Sequence, residues 1–162
     1  DTGPIVLEDY LKIETSDTAG SLHDKLSLMG STLILQLCVN IKKLEYRVQS
    51  SEGVSYAKKI HKSESQINWS VDAESVDRQV RAFSPNPGAW FNFGGERIKI
   101  LTCQVSNGSG QPGFVMDEYF QVACLDGSIR PTILQRAGIT PLNIKDFIRG
   151  YKAPIGTMLT YS

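Results

Sequence analysis

The segment Ser84-Pro85-Asn86-Pro87-Gly88 constrains this chain more than any other. Each proline lacks the N–H that a helical ladder needs and disfavours helical geometry in the residue before it, so no helix runs through. On the N-terminal side, Ala73, Val76, Val80 and Phe83 recur at helical spacing, and Ser70 or Asp72 can cap the segment by accepting a backbone N–H. On the C-terminal side the apolar residues alternate. "AWFNF" and "RIKIL" flank Gly94-Gly95-Glu96, which predicts a hairpin because glycine accepts positive φ. "GFVM", "YFQVAC" and "SIRPTILQ" read as further short strands, and their density predicts a small barrel. "TPLNIKDFIRGY" predicts a closing helix with Thr140 as cap and Pro141 at its first position.

Upstream, "GPIVLEDYLKIE" reads as a strand leaving the Asp1-Thr2-Gly3 turn. Thr15, Ser16, Asp17 and Thr18 then offer several helix caps. Leu22, Leu26, Met29, Leu33, Leu37 and Ile41 place one apolar face along a helical region, with Gly30 a kink or break. The polar stretch between Tyr46 and Gln66 reads as a linker. With no initiator methionine and a strand-like run from the fourth residue, the chain reads as beginning partway through a domain.

A chain of 162 residues can build one full core or two small ones. No apolar run approaches the roughly 20 residues that span a bilayer, and no secretory signal opens the chain, so a cytoplasmic setting is expected. Cys38, Cys103 and Cys124 are odd in number and lack CxxC spacing, which points to neither a disulfide framework nor a zinc site. Charge is uneven. Residues 1–55 carry 5 Lys and Arg against 8 Asp and Glu, and residues 56–162 carry 12 against 9. The asymmetry fits a catalytic part joined to a polyanion-binding part, and equally fits ordinary surface variation.

Asp-Thr-Gly followed by apolar residues is also the aspartic-protease signature. That chemistry needs two carboxylates sharing a proton, and the sequence holds no second copy. A helical region directly after the first strand argues against the protease fold as well. In isolation, Asp1 and Thr2 simply form a turn.

Three separated motifs carry a closer likeness: "YAKKIHKSESQINWS", "VRAFSPNPGAW" and "LQRAGITPLNIKDFIRG". In this order they resemble the C-terminal part of the methionyl-tRNA formyltransferase family, and "DTGPIVLEDYLKIETSDTAGSLHDKL" resembles the end of its catalytic domain. The resemblance implies an α/β remnant, the last strand and helices of a Rossmann-like formyltransferase domain (1–47). A linker (48–66) and a small, mainly-β OB-like barrel domain that binds tRNA (67–162) would follow. It implies transfer of a formyl group from 10-formyltetrahydrofolate to the methionyl amino group of initiator tRNA, without metal, by a monomeric bacterial or organellar enzyme. Asp1 falls on the family's catalytic aspartate. Amine attack on the formyl carbon needs a proton to leave the amine, and a carboxylate beside an imidazole can orient it or relay that proton. The family's Asn-x-His does not occur in this sequence, and neither His23 nor His61 sits in a matching motif. His23 reads as a helix-surface residue and His61 as a linker residue. Activity of the chain by itself is not expected.

The resemblance also implies that the second half grips tRNA. Lys58, Lys59 and Lys62, with Arg47 and His61 nearby, form the densest basic cluster and suit phosphate contact, though solvated linker lysines would look the same. Arg78 and Arg81 share a helix face, where Glu74 and Asp77, four residues earlier, can pair with them. Arg97 and Lys99 alternate with Ile98 and would stand on an exposed sheet surface. Trp69, Trp90 and Phe91 read as core or junction packing rather than base-stacking groups. Where the family places a basic pair, this chain has Ile139-Thr140. A related formyltransferase acting on a nucleotide sugar, a formyl-folate dehydrogenase relative, or a non-catalytic OB-like nucleic-acid binder are the alternatives.

Overall fold

The structure is a computed structural model that describes residues 2–41, 45–151 and 153–159. Two compact units emerge, Asp1–Ile60 and His61–Ser162.

The first unit is built on α1 (Ala19–Asn40). Of the caps on offer, Thr18 is used: its hydroxyl accepts the Ser21 N–H, and Ser21 Oγ accepts the Thr18 N–H in return. Gly30 lies within one continuous helix, where a single glycine costs only about 1 kcal/mol relative to alanine. Leu22, Met29, Leu33 and Leu37 are half-buried, Leu26 and Ile41 are exposed, and no residue of α1 is fully buried. The strand predicted after Asp1 is not formed. Ile5 alone makes a bridge, to Arg47, with both backbone hydrogen bonds in place (2.8 and 2.9 Å). A strand exists only where a neighbouring strand takes up its N–H and C=O groups, and in this segment only Ile5 is so paired, whereas the Gly3 carbonyl goes to the Gln49 side chain at 2.7 Å. The first unit therefore holds the expected helical region but not the expected strand.

Asp17 ties down the start of α1. Its carboxylate takes the Lys25 ammonium, the Glu14 N–H (2.9 Å) and the Ser21 hydroxyl (2.8 Å). The Lys25 contact, then the backbone and Ser21 donors, hold its pKa down to about 2 from 3.8. A depressed carboxylate stabilises the folded form above its unfolded pKa and loses that contribution as pH falls through the folded one. The amide signal of Ser21 should therefore lose its folded position as pH falls from about 4 toward about 2. Asp17→Asn should abolish that dependence. A parent signal unchanged over the interval would remove Asp17 as the tether.

The second unit opens with a 3-10 turn, Lys62–Ser65, and then α2 (Ala73–Phe83). Asp72 caps α2 through the Ser75 N–H at 2.7 Å, and the helix stops at Phe83, directly before the two prolines. Five strands follow: β1 (Ala89–Phe93), β2 (Glu96–Ser106), β3 (Val122–Ala123), β4 (Ser128–Arg136) and β5 (Leu142–Asn143). They form a curled antiparallel sheet in the order β1-β2-β4-β3, with β5 also pairing β4. The β1–β2 turn is the expected Gly94-Gly95 pair, both at positive φ (60° and 76°), the two-residue hairpin geometry that suits strand twist. Val76 and Val80 of α2 pack with Phe91, Ile98, Ile100, Ile129 and Leu134 in one core.

Three expectations change here. "GFVM" contributes only bridges at Phe114 and Val115, and "YFQVAC" only the two residues of β3. Val115, Phe120 and Val122 are buried by a folded connection between β2 and β4, not by a continuous ladder, and Tyr119 is exposed. The closing helix, α3 (Ile144–Gly150), is capped by Asn143, whose side chain accepts the Asp146 N–H at 3.0 Å. Thr140 and Pro141 do not start it, because Leu142 and Asn143 first pair with Leu134 and Ile133.

Candidate nucleic-acid interface

Alternation along β1 and β2 sorts their side chains. Ala89, Phe91, Ile98 and Ile100 turn to the core, while Trp90, Arg97 and Lys99 turn to the other face. Trp90 lies opposite Lys99, and Lys99 lies opposite Gln135 on β4. The Arg97 guanidinium carbon sits 3.8 Å from the centre of the Trp90 ring, a cation–π contact. The Trp90 indole N–H donates to the Lys62 carbonyl at 3.2 Å, and the Ile67 N–H donates to the Trp90 carbonyl at 2.8 Å. The segment bearing Lys62 is thereby fastened to the edge of the sheet.

Lys99 is positioned by a missing side chain. Gly88 has φ +83°, and a Cβ there would lie 2.7 Å from Lys99 Cδ, so the lysine stem lies across bare backbone. Beside it a cleft of about 110 Å³ is lined by Arg97, Lys99, Gln135, Arg136, Ala137 and Gly138. Gln135 Nε2 donates to the Ile139 carbonyl at 2.9 Å, holding the turn that carries Ile139-Thr140 against this face. Arg136 grips Glu96 through Nε (3.0 and 3.1 Å) and Nη2 (2.9 Å). Its hydrogen bonds to Glu96 raise its pKa, and its own charge is largely spent there.

The remaining site residues are dispersed. Lys58 and Lys59 are exposed in the first unit, and Lys62 is exposed at the start of the second. Arg78 is exposed, donates to Ser75 Oγ at 2.8 Å and lies 3.8 Å from Asp72, in place of the expected Glu74. Arg81 donates to Asp77 at 2.8 Å as expected. Asp77 also receives the Cys103 thiol at 3.6 Å. Burial and that carboxylate push the Cys103 thiol well up, and burial pushes Cys124 up to about 11, so both stay protonated and unreactive near neutral pH. Asp1 lies outside the described residues. His23 is exposed with Nδ1 3.2 Å from Asp24, and His61 is exposed at the head of the 3-10 turn. Trp69, Trp90 and Phe91 are all buried, as packing residues.

Sequence reasoning found Arg97 and Lys99 but not their partners. Gln135 reaches this face through a strand pairing more than thirty residues distant, and Gly88 acts by what it lacks.

These features define a small antiparallel β domain with a cationic outer sheet face. Residues 59–152 match the family described as "Formyl transferase, C-terminal domain", and the chain belongs to that family. It is 42% identical to a methionyl-tRNA formyltransferase of Ruegeria pomeroyi over 159 residues, 98% of this chain and 53% of that one. It is 43% identical to one of Cereibacter sphaeroides over 162 residues, 100% of this chain and 53% of that one. The chain thus spans about half the length of the curated relatives it matches. Among solved structures, HypX from Aquifex aeolicus matches with a TM-score of 0.71 at 17% identity, covering 100% of this chain and 33% of that chain. A HypX structure in complex with tetrahydrofolic acid matches with a TM-score of 0.57 at 20% identity, covering 80% and 26%. Both show likeness of fold.

Proposed function

We propose that this chain supplies the C-terminal part of an enzyme that transfers a formyl group from 10-formyltetrahydrofolate to the methionyl amino group of initiator tRNA. Its second unit, an OB-like module, holds the tRNA. The observation that carries the reading is identity above 40% to methionyl-tRNA formyltransferases along essentially the whole chain. In this reading residues 1–47 close the catalytic domain, residues 48–66 link it onward, and Asp1 moves or orients a proton at the amine. The sequence contains no Asn-x-His, and His23 and His61 are solvent-facing, so neither histidine takes the place of the imidazole that this reading sets beside Asp1. The chain's own contribution is phosphate binding, by Lys58, Lys59, Lys62, Arg97 and Lys99, with Arg78 and Arg81 on α2. The enzyme works as a monomer in a bacterial cytoplasm or an organelle. Among the described residues no helix is long and apolar enough to cross a membrane.

Phosphate contact has a measurable signature. Replacing Lys58, Lys59 and Lys62 together by Ala should weaken tRNA binding and make its salt dependence shallower, by about 0.9 of log–log slope for each lost contact to duplex. Binding across a salt series, with initiator and elongator tRNA, reads both effects. Equal weakening for the two tRNAs is expected of backbone contacts. An unchanged affinity and slope would leave these lysines solvated and move the tRNA site elsewhere.

A further inference from the structure

We propose that the outer sheet face takes an unpaired nucleotide, its base stacked on the solvent side of the Arg97 guanidinium and its phosphate on Lys99; this rests on reading the second unit as an RNA-binding module. The indole of Trp90 is not itself the platform. It is 7% exposed, its N–H is committed to the Lys62 carbonyl, and Arg97 covers its ring. Covering the ring leaves the second face of the guanidinium outward, since Arg97 is exposed. A planar guanidinium stacks a base much as an aromatic ring does. Resting on a fixed indole, it is already held in place and loses less freedom when a base arrives.

Lys99 follows on the same strand face, about 7 Å along at the usual rise per residue. Its stem is set by Gly88. Among the described residues the cleft beside the pair is lined by Gln135 and Arg136 and by no carboxylate, and Glu96 is held by Arg136. A cationic plane flanked by a second cation suits a single strand. In a duplex the bases are stacked on one another, and only the backbone would meet this face, so Arg97 would act there as a plain charge.

Arg97→Lys separates the two roles, because it keeps the charge and removes the plane. The binding of a short single-stranded oligoadenylate, an abasic strand of equal length and an RNA duplex should be measured with the 162-residue chain and this variant. Arg97→Lys should bind oligoadenylate roughly tenfold more weakly, with a distinctly smaller loss for duplex and no change in salt slope, because the charge is kept. The abasic strand should bind the parent as weakly as oligoadenylate binds the variant. Loss of equal size for oligoadenylate and duplex, or no loss at all, would overturn the stacking site. A parent that binds duplex but not oligoadenylate also overturns it while the tRNA reading stands, and a parent that binds neither removes both.

Discussion

Phe91→Ala should cost the second unit about 4 kcal/mol, because it empties the centre of its aromatic core. Phe91 is 1% exposed in the middle of β1 and lies between two other buried rings. Its centroid is 6.1 Å from Trp69, edge to face, and 5.8 Å from Phe120. The chain of rings continues from Phe120 to Phe147 (6.2 Å) and from Phe147 to Tyr151 (5.3 Å), so β1, the long connection and α3 all meet through it. Removing the ring forfeits the transfer free energy and leaves a cavity that rigid neighbours on two sides cannot fill. Total stability of a domain this size is commonly about 5–15 kcal/mol, so the variant should be partly unfolded on mild heating. Phe91→Leu keeps most of the volume and should cost less than about 2 kcal/mol. Urea unfolding followed by tryptophan fluorescence reads both. A loss below about 1 kcal/mol for the alanine variant would mean that the aromatic chain is not the centre of this core.

What could be read from the sequence and what could not divides by range of interaction. The stop of α2 at Phe83, its Asp72 cap and the Gly94-Gly95 turn each depend on residues within a few positions, and each was legible. So were Arg97 and Lys99 as outward-facing cations, because alternation is a local property. The segments 113–116 and 119–124 look like full strands because apolar residues record burial, and burial does not require a ladder; segment 3–14 is largely exposed, with Leu7, Tyr10 and Ile13 facing solvent, and pairs only at Ile5. Around Phe114 and Val122 the backbone groups are taken up by turns within the connection and by the C-terminal segment instead. Val115 donates to the Thr157 carbonyl at 2.9 Å and Met116 to the Gln121 carbonyl at 2.7 Å. Phe120 reaches the core at φ 63°, a left-handed conformation that no strand contains. The partners of the candidate site were hidden for the same reason, since Gln135 meets Lys99 only once β2 and β4 have paired.

That connection predicts the second large effect. Arg130→Ala should destabilise the second unit by about 2–3 kcal/mol, although Arg130 is on neither the core nor the cationic face. Its guanidinium donates to Asp117 Oδ2 at 2.7 Å and to Gln121 Oε1. Asp117 Oδ1 accepts the N–H groups of Tyr119 (2.9 Å) and Gln121 (3.0 Å), which closes the turn that aims Phe120 inward. Gln121 then donates to the fully buried Ser128 hydroxyl at 2.7 Å and to the Asn107 carbonyl at 3.1 Å. One cation therefore completes a network that fixes both ends of the connection to β4. Its removal strands a carboxylate and an amide oxygen with reduced access to water, which is dearer than the loss of the bonds themselves. Partial exposure of the pair, 32% and 31%, keeps the cost below that of a fully buried ion pair. Arg149→Ala is the control. Its bond to Asp146 at 3.0 Å is an exposed pair three residues apart on α3, and its loss should cost at most about 0.5 kcal/mol. Burial pushes the Asp117 pKa up, but the Gln121 N–H, Arg130 and the Tyr119 N–H outweigh it and hold it below 3.8. The network's contribution is therefore present above that pH and is lost as the solution is acidified through the lowered pKa. Urea midpoints of parent, Arg130→Ala and Arg149→Ala at neutral pH, repeated on acidification, decide the matter. If the two arginine variants lost equal stability at neutral pH, or if the gap between them did not narrow in acid, the connection would be held by its apolar contacts alone.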